Sequence, residues 1–345
     1  MTTHKAIIQL EASGPLSVTH LGPHALNDHQ ILVKVEAVAL NPGEQKMIDL
    51  GLRSTYPYVP GADLCGTVVE IGSAVKQFNI GDRIISLQMT PDTERSGALQ
   101  DFVVAEADLS AKVPDHYTPI EACTLPVVLL TNFAAFYTMR WRFPFESHEK
   151  LDEPILVWGG GSGVGQAAIS LLKLSGYTSI ITTAAIKREK YLKSLGASFV
   201  VDYKDEECLD KINHFLADRP LMKAIDTISS AESSSSVMQL VAPGGQVAYV
   251  LPVPDLAKRS EVQSEAVFCG MFHDNSKSNA ELRKFGAEKI WPMIQRILAS
   301  KDYPLQPQLV LEGNSDDILE RVTKGFDIVR KASADGKKVV IPWQK

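Results

Sequence analysis

The chain has 345 residues, 45% hydrophobic and 22% charged, with a formal net charge of −6. That length exceeds what one hydrophobic core usually serves and predicts two domains, and the composition excludes wholesale disorder. A pI near 5.8 with no dominant basic stripe excludes a nucleic-acid partner.

Met1-Thr2-Thr3-His4-Lys5 leads straight into Ala6-Ile7-Ile8, too short an apolar stretch for a signal peptide. No window reads as apolar enough to cross a bilayer, which predicts no membrane partner. The first 125 residues are β-rich: Ile31 to Val38, Gly66 to Ile71 and Leu99 to Val104 have strand character. Asn41-Pro42-Gly43, Pro60-Gly61 and Gly81-Asp82 read as turns between them, and short strands so punctuated predict a small antiparallel barrel or sandwich.

After Pro154 the rhythm changes. Ile155-Leu156-Val157-Trp158 is a short apolar strand that runs into a glycine cluster, and Gln166 to Leu174 suits a buried helix closed by Ser175-Gly176. Strand Ile180 to Thr183, helix Lys187 to Leu195, and strands at Phe199 to Val201, Ala224 to Asp226 and Gln246 to Val250 follow. Ser233 to Ser236 starts a helix before Val237. This alternation means βαβ units and a parallel, doubly wound sheet. Ala287 to Leu298 reads as an amphipathic helix and Lys337 to Ile341 as a final strand. Cys65, Cys123, Cys208 and Cys269 are scattered, with no C-x-x-C pair, which suits a reducing compartment and predicts the cytoplasm.

The run Gly159-Gly160-Gly161-Ser162-Gly163-Val164-Gly165 sits between a strand and a helix, the context in which glycines cradle a pyrophosphate. Gly160, Gly161, Ser162, Gly163 and Val164 would present backbone N–H groups to it, and the helix dipole favours the negative charge. An NAD site usually carries an acid some 20 residues on, at the end of the second strand, to bind the ribose hydroxyls. Here that end reads Thr182-Thr183-Ala184-Ala185-Ile186-Lys187-Arg188, with no carboxylate and two cations. Thr183 and Ala184 leave room for a 2′-phosphate and Lys187 and Arg188 could receive it, so NADPH is the expected cofactor. A solvated helix start is the other reading of the two cations.

With this loop behind a β-rich domain, the sequence resembles the medium-chain dehydrogenase/reductase superfamily. Pro60-Gly61-Ala62-Asp63-Leu64-Cys65-Gly66-Thr67-Val68 looks like its G-H-E-x-x-G-x-V segment, and Gly81-Asp82-Arg83-Ile84 like its G-D-R-V turn. The resemblance implies an α/β fold, a Rossmann doubly wound sheet inserted in a GroES-like β-rich catalytic domain. It implies boundaries at 1–125 for the catalytic domain, 126–272 for the NADPH-binding domain and 273–345 for the return. The zinc branch carries a Cys where this chain has Asn41-Pro42, and a His where it has Ala62. Its structural-zinc lobe has no counterpart between Ser86 and Leu99. With two expected ligands missing, no metal is expected.

The combination of Asn41 to Met47, Leu125-Pro126 to Thr131 and Val201-Asp202-Tyr203 looks most like the stand-alone enoyl reductases of fungal polyketide pathways, the ToxD-like group. That resemblance implies metal-free reduction of an activated C=C bond in a small-molecule or carrier-bound enoyl substrate, with a polyketide synthase as possible partner, by a monomer or homodimer. A quinone reductase and a non-catalytic NADPH-binding protein are the alternatives. It further implies that Lys46 lies near the nicotinamide ribose and that Thr131 lies near the nicotinamide, both as catalytic candidates. Asn132, Phe136 and Met139, at i, i+4 and i+7, would line a substrate channel, although such a stripe also suits a core. Phe268, Cys269, Gly270 and Met271 would close the substrate pocket. Tyr203 would touch adenine, Leu251 the nicotinamide edge, and Lys337 and Lys338 would reach the cofactor.

Overall fold

The computed structural model describes residues 3–53, 55–89, 95–251, 258–274, 277–301 and 303–343. The chain divides into two compact units, one formed by residues 1–127 and 270–345, the other by 128–269.

The first unit is built on the strand Gln30–Ala39, whose Ile31, Val33, Val35 and Val38 are fully buried. It pairs antiparallel with Asp63–Ile71 on one side. On its other side its first half pairs with Phe102–Glu106 and its last three residues with Lys338–Pro342. Register shifts at Leu32/Val33 and Val35/Ala37 mark bulges, which bend and twist a strand locally. The sheet continues through Arg83–Leu87 to Ser110–Lys112, and through Gln308–Val310 beyond Lys338–Pro342. The helix Ile318–Arg330 packs Ile318, Val322 and Phe326 against the barrel core of Val33, Leu64, Ile84 and Val339.

Three expectations shift here. The strand expected from Leu99 begins at Phe102, because the Leu99 amide bonds back to Pro60 O at 2.9 Å. Asn41-Pro42-Gly43 is the start of a helix, Pro42–Asp49, rather than a turn. Proline is at home in a first helical position because its missing N–H would have no acceptor there. The C-terminal amphipathic helix is Trp291–Ala299, preceded by a wide turn at Gly286–Ile290.

The second unit holds six parallel strands in the order Phe199–Val201, Ile180–Thr183, Ile155–Trp158, Lys223–Asp226, Gln246–Tyr249, Gln263–Ala266. Numbered along the chain, that order is 3-2-1-4-5-6. The strands are apolar and short because both faces are covered: Ile155, Leu156, Val157, Ile180, Ile181 and Ile225 have no exposed surface. The order reverses between Ile155–Trp158 and Lys223–Asp226, and ligands bind at the carboxyl ends of strands at such a switch point.

One stretch, Pro119–Met139, is long and apolar enough to cross a membrane, with a mean hydropathy of 1.5, which corrects the expectation that no window qualifies. Some 83% of that window is buried inside the protein. Its apolarity serves the core.

Candidate functional site

In the second unit the chain leaves Ile155–Trp158 at Gly159, with φ +84°, and enters the helix Gly163–Leu174 four residues later. Two glycines are demanded by close approach. A Cβ on Gly160 would meet Thr182 Oγ1 at 2.1 Å, and one on Gly165 would meet Gly159 O at 2.4 Å. Ser162 caps the helix by accepting the Gly165 amide at 2.9 Å. The amides of the first helical turn have no intrahelical acceptor and carry the positive end of the helix dipole, so the Gly163 and Val164 amides could hold an anion.

The end of the second strand braces this loop. Thr183 is fully buried; its Oγ1 accepts the Gly159 amide at 2.9 Å and its carbonyl accepts the Gly160 amide at 2.9 Å. Thr183 therefore turns its hydroxyl into the loop and holds it from behind. Ala184 is also buried, with its amide on Val201 O. Beyond it Ile186 and Lys187 are exposed, and the Arg188 Cδ lies 3.4 Å from where a Gly161 Cβ would stand. Arg188 thus runs alongside the loop. A carboxylate missed in the sequence does stand nearby: Asp202 Oδ2 accepts the Ile186 amide at 3.3 Å and Oδ1 the Lys204 amide at 3.0 Å. Tyr203 next to it is half exposed.

The turn after Lys223–Asp226 was also invisible from sequence. Asp226 is fully buried, and its carboxylate accepts the Ile228 and Ser229 amides and the Ser233 hydroxyl. Burial nevertheless lifts its carboxyl above the usual range, the hydrogen bonds from Ser229 and Ser233 offsetting part of that. The helix expected near Ser233 is Ala231–Leu240, started by a Ser230/Ser233 capping box.

The first unit holds a buried ionic cluster. Lys338, 6% exposed, places Nζ 2.9 Å from Asp63 Oδ2, and Asp63 has no exposed surface. Lys338 also donates to Asn41 Oδ1, and Asn41 Nδ2 donates to Asp63 Oδ2 at 3.0 Å. Asp63 Oδ1 accepts the Val127 amide at 2.7 Å. Glu44 lies beside them, 8% exposed, and among the described residues no side chain donates to its carboxylate. Burial, reinforced by the Asp63 charge, pushes its pKa up to about 7; the Gly61 amide and the Lys338 charge pull the other way. Burial also pushes the Cys65 and Cys123 thiols up, so they stay neutral. Among the described residues no group of three or more His, Cys, Asp or Glu side chains is placed to hold a metal ion; residues 90–94, within the expected gap of the structural-zinc lobe, lie outside the described residues.

The alcohol dehydrogenase GroES-like domain family matches residues 27–115, and the zinc-binding dehydrogenase family matches residues 163–254. The trans-enoyl reductase ACTTS2 of Alternaria alternata is 30% identical, with 99% of each chain covered. The chain belongs to the medium-chain dehydrogenase/reductase superfamily. The lovastatin nonaketide synthase enoyl reductase component lovC of Aspergillus terreus is 28% identical over 90% of this chain and 88% of that one. The crystal structure of the CurK enoyl reductase shares the fold, with a TM-score of 0.76 at 18% identity over 97% and 99% of the two chains.

The other side chains that the resemblance assigns to a site are placed as follows. Phe136 and Met139 are buried, and Phe136 packs in an aromatic cluster with Phe133, Trp141 and Phe143, so the stripe is core rather than channel. Asn132 is fully buried and donates to Val128 O at 2.8 Å and Val164 O at 3.0 Å, which ties its helix to the first turn of the glycine-loop helix. Thr131 is 5% exposed. Lys338 is an internal counter-ion, whereas Lys337 is exposed. Lys46 is exposed on Pro42–Asp49. Leu251 is half-buried, with its amide 3.3 Å from Ser229 Oγ. Phe268 is 53% exposed, Cys269 and Met271 are half-buried and Gly270 is buried.

Proposed function

We propose that this chain is an NADPH-dependent, metal-independent enoyl reductase that acts in trans on a thioester carried by a polyketide synthase. The observation that carries the metal-free part is the ionic cluster. Asn41 and Ala62 stand where the zinc branch has ligands, and the Lys338 ammonium supplies the positive charge that Asp63 requires. The trans-enoyl reductase relatives support the substrate class. Four free cysteines, three of them buried, support a cytoplasmic protein.

The residues fit the nucleotide. The glycine loop leaves no room for side chains at Gly160 or Gly165, and its helix start offers amides to a pyrophosphate. Lys187 and Arg188 would take the 2′-phosphate, and the exposed Ile186 and Tyr203 offer apolar surface to adenine. Asp202 spends its carboxylate on backbone amides and so competes weakly for a ribose hydroxyl. A bound nicotinamide supplies the hydride for an electron-poor C=C bond. The negative charge that develops on the substrate oxygen calls for donors from the chain, and the family resemblance nominates Lys46 for that role.

The test is a cofactor-oxidation screen with NADPH and NADH against enoyl thioesters, enones and quinones, for parent and Arg188→Ala. One charge-assisted contact to the 2′-phosphate is worth about 1.5–3 kcal/mol, or a preference of about tenfold to hundredfold for NADPH. Turnover is expected on thioesters, and Arg188→Ala should lose most of the preference. Equal use of both cofactors by the parent removes the NADPH assignment, and turnover of quinones alone replaces the enoyl substrate with a quinone.

A further inference from the structure

The turn 227–230 touches two ligand-facing segments at once. It follows the fourth strand at the switch point, beside the glycine loop. On that side the Thr227 amide donates to Trp158 O at 3.0 Å. Its hydroxyl lies 2.8 Å from Trp158 O, 2.9 Å from Gly159 O and 2.9 Å from the Ser162 Oγ that caps the loop helix. On the other side Ser229 Oγ accepts the amides of Val250 at 3.1 Å and Leu251 at 3.3 Å, where the chain leaves the fifth strand. Ser229 manages this from a left-handed backbone, φ +52°.

What holds that unfavourable backbone is Asp226. One carboxylate oxygen accepts the Ile228 amide at 3.0 Å and the Ser229 amide at 2.9 Å; the other accepts Ser233 Oγ at 2.7 Å and Ser234 Oγ at 3.4 Å. Ser229 Oγ donates its own proton to Asp226 O at 3.0 Å, which leaves its lone pairs for the two amides. The carboxylate therefore fixes the turn, and the turn joins the glycine loop to the Val250–Leu251 backbone. A dinucleotide at a switch point has its pyrophosphate on the glycine loop, one nucleoside over strands 1 to 3 and the other over strands 4 and 5.

We propose that Asp226, acting through Thr227 and Ser229, is the positioning residue that sets the spacing between the two halves of the nucleotide site. This rests on the nucleotide-binding reading above. It makes a distinction that a general stabilising role does not. A fragment that occupies only the adenosine half should be indifferent to the clamp, and the whole dinucleotide should need it.

Ser229→Gly tests this directly, because glycine adopts positive φ freely and the hydroxymethyl group that accepts the two amides is lost. Asp226→Asn keeps the volume and is the second variant. Binding of 2′,5′-ADP and of NADPH is measured by calorimetry on the full chain, with thermal melts of each variant. The expected result is a 2′,5′-ADP Kd within about twofold of the parent's and an NADPH Kd raised about tenfold or more in both variants. Equal weakening of both ligands, or none for either, overturns the proposal. A parent that binds neither ligand removes the nucleotide reading itself, and the clamp with it.

Discussion

The two units bury carboxylates by opposite means. In the barrel unit Asp63 faces an ammonium, Lys338, and the neighbouring Glu44 has no side-chain donor among the described residues. In the nucleotide unit Asp226 meets amides and hydroxyls and, among the described residues, no cation. A charge pair in a dry interior is strong only while both members are present, because removing one strands the other. A carboxylate dressed by neutral donors instead orders the turn that supplies them. The first arrangement is an anchor, the second a ruler.

Breaking the anchor should have the largest effect. Lys338→Met leaves Asp63 buried and uncompensated and should cost about 3–5 kcal/mol, read as a lower denaturant midpoint for the barrel unit. Adding Asp63→Leu should recover part of it. Full stability of the single variant would show that Asp63 does not depend on the ammonium. That would erase the contrast with Asp226.

Glu44 sharpens the comparison next. With its pKa lifted from an ordinary 4.5 to about 7, the fold favours the neutral acid. Its contribution to stability is complete below about pH 4.5 and is lost as the pH climbs through 7. Glu44→Gln, a neutral stand-in, should therefore match the parent at pH 4.5 and exceed it by about 3 kcal/mol at pH 9. Denaturant titrations at pH 4.5, 7 and 9 measure the gap, and a constant difference across that range contradicts the orphaned carboxyl.

The smallest effect concerns the nucleotide unit. Gly160→Ala drives a methyl into Thr182 Oγ1, an overpacking that costs about 1–3 kcal/mol. NADPH binding should fall by tenfold or more while the barrel transition stays where it was. Retained affinity would mean that the loop can move away from the second strand.

How much of this was legible follows from distance along the chain. The parallel sheet and its glycine loop were readable because strand, turn and helix are neighbours within a few residues. The missing acid at 182–188 was readable too, but the direction of the Thr183 side chain was not, and it points into the loop. Spacing put Phe136 and Met139 on one helix face without saying what that face meets, which is core. Asn41-Pro42-Gly43 was ambiguous because proline suits both the second position of a turn and the first turn of a helix. The ionic cluster was out of reach: Asn41 and Lys338 are 297 residues apart, and nothing local marks either as charged-core material. Asp226 was visible as a strand end, but its four serine, amide and hydroxyl contacts depend on the shape of a turn.

The pairing of Gln30–Ala39 with Lys338–Pro342 bears on the order in which the protein is made. The nucleotide unit is one continuous stretch, so all of its internal contacts can form once residue 269 has been synthesised. The barrel must leave one edge of its central strand unpaired along Ala37 to Ala39 until residues 338–342 emerge, a long-range closure of the kind that slows folding. During that interval an open strand edge in the nascent chain is a place for another chain to add, so the same strand that carries Lys338 into the core also ends the period in which the barrel can mispair.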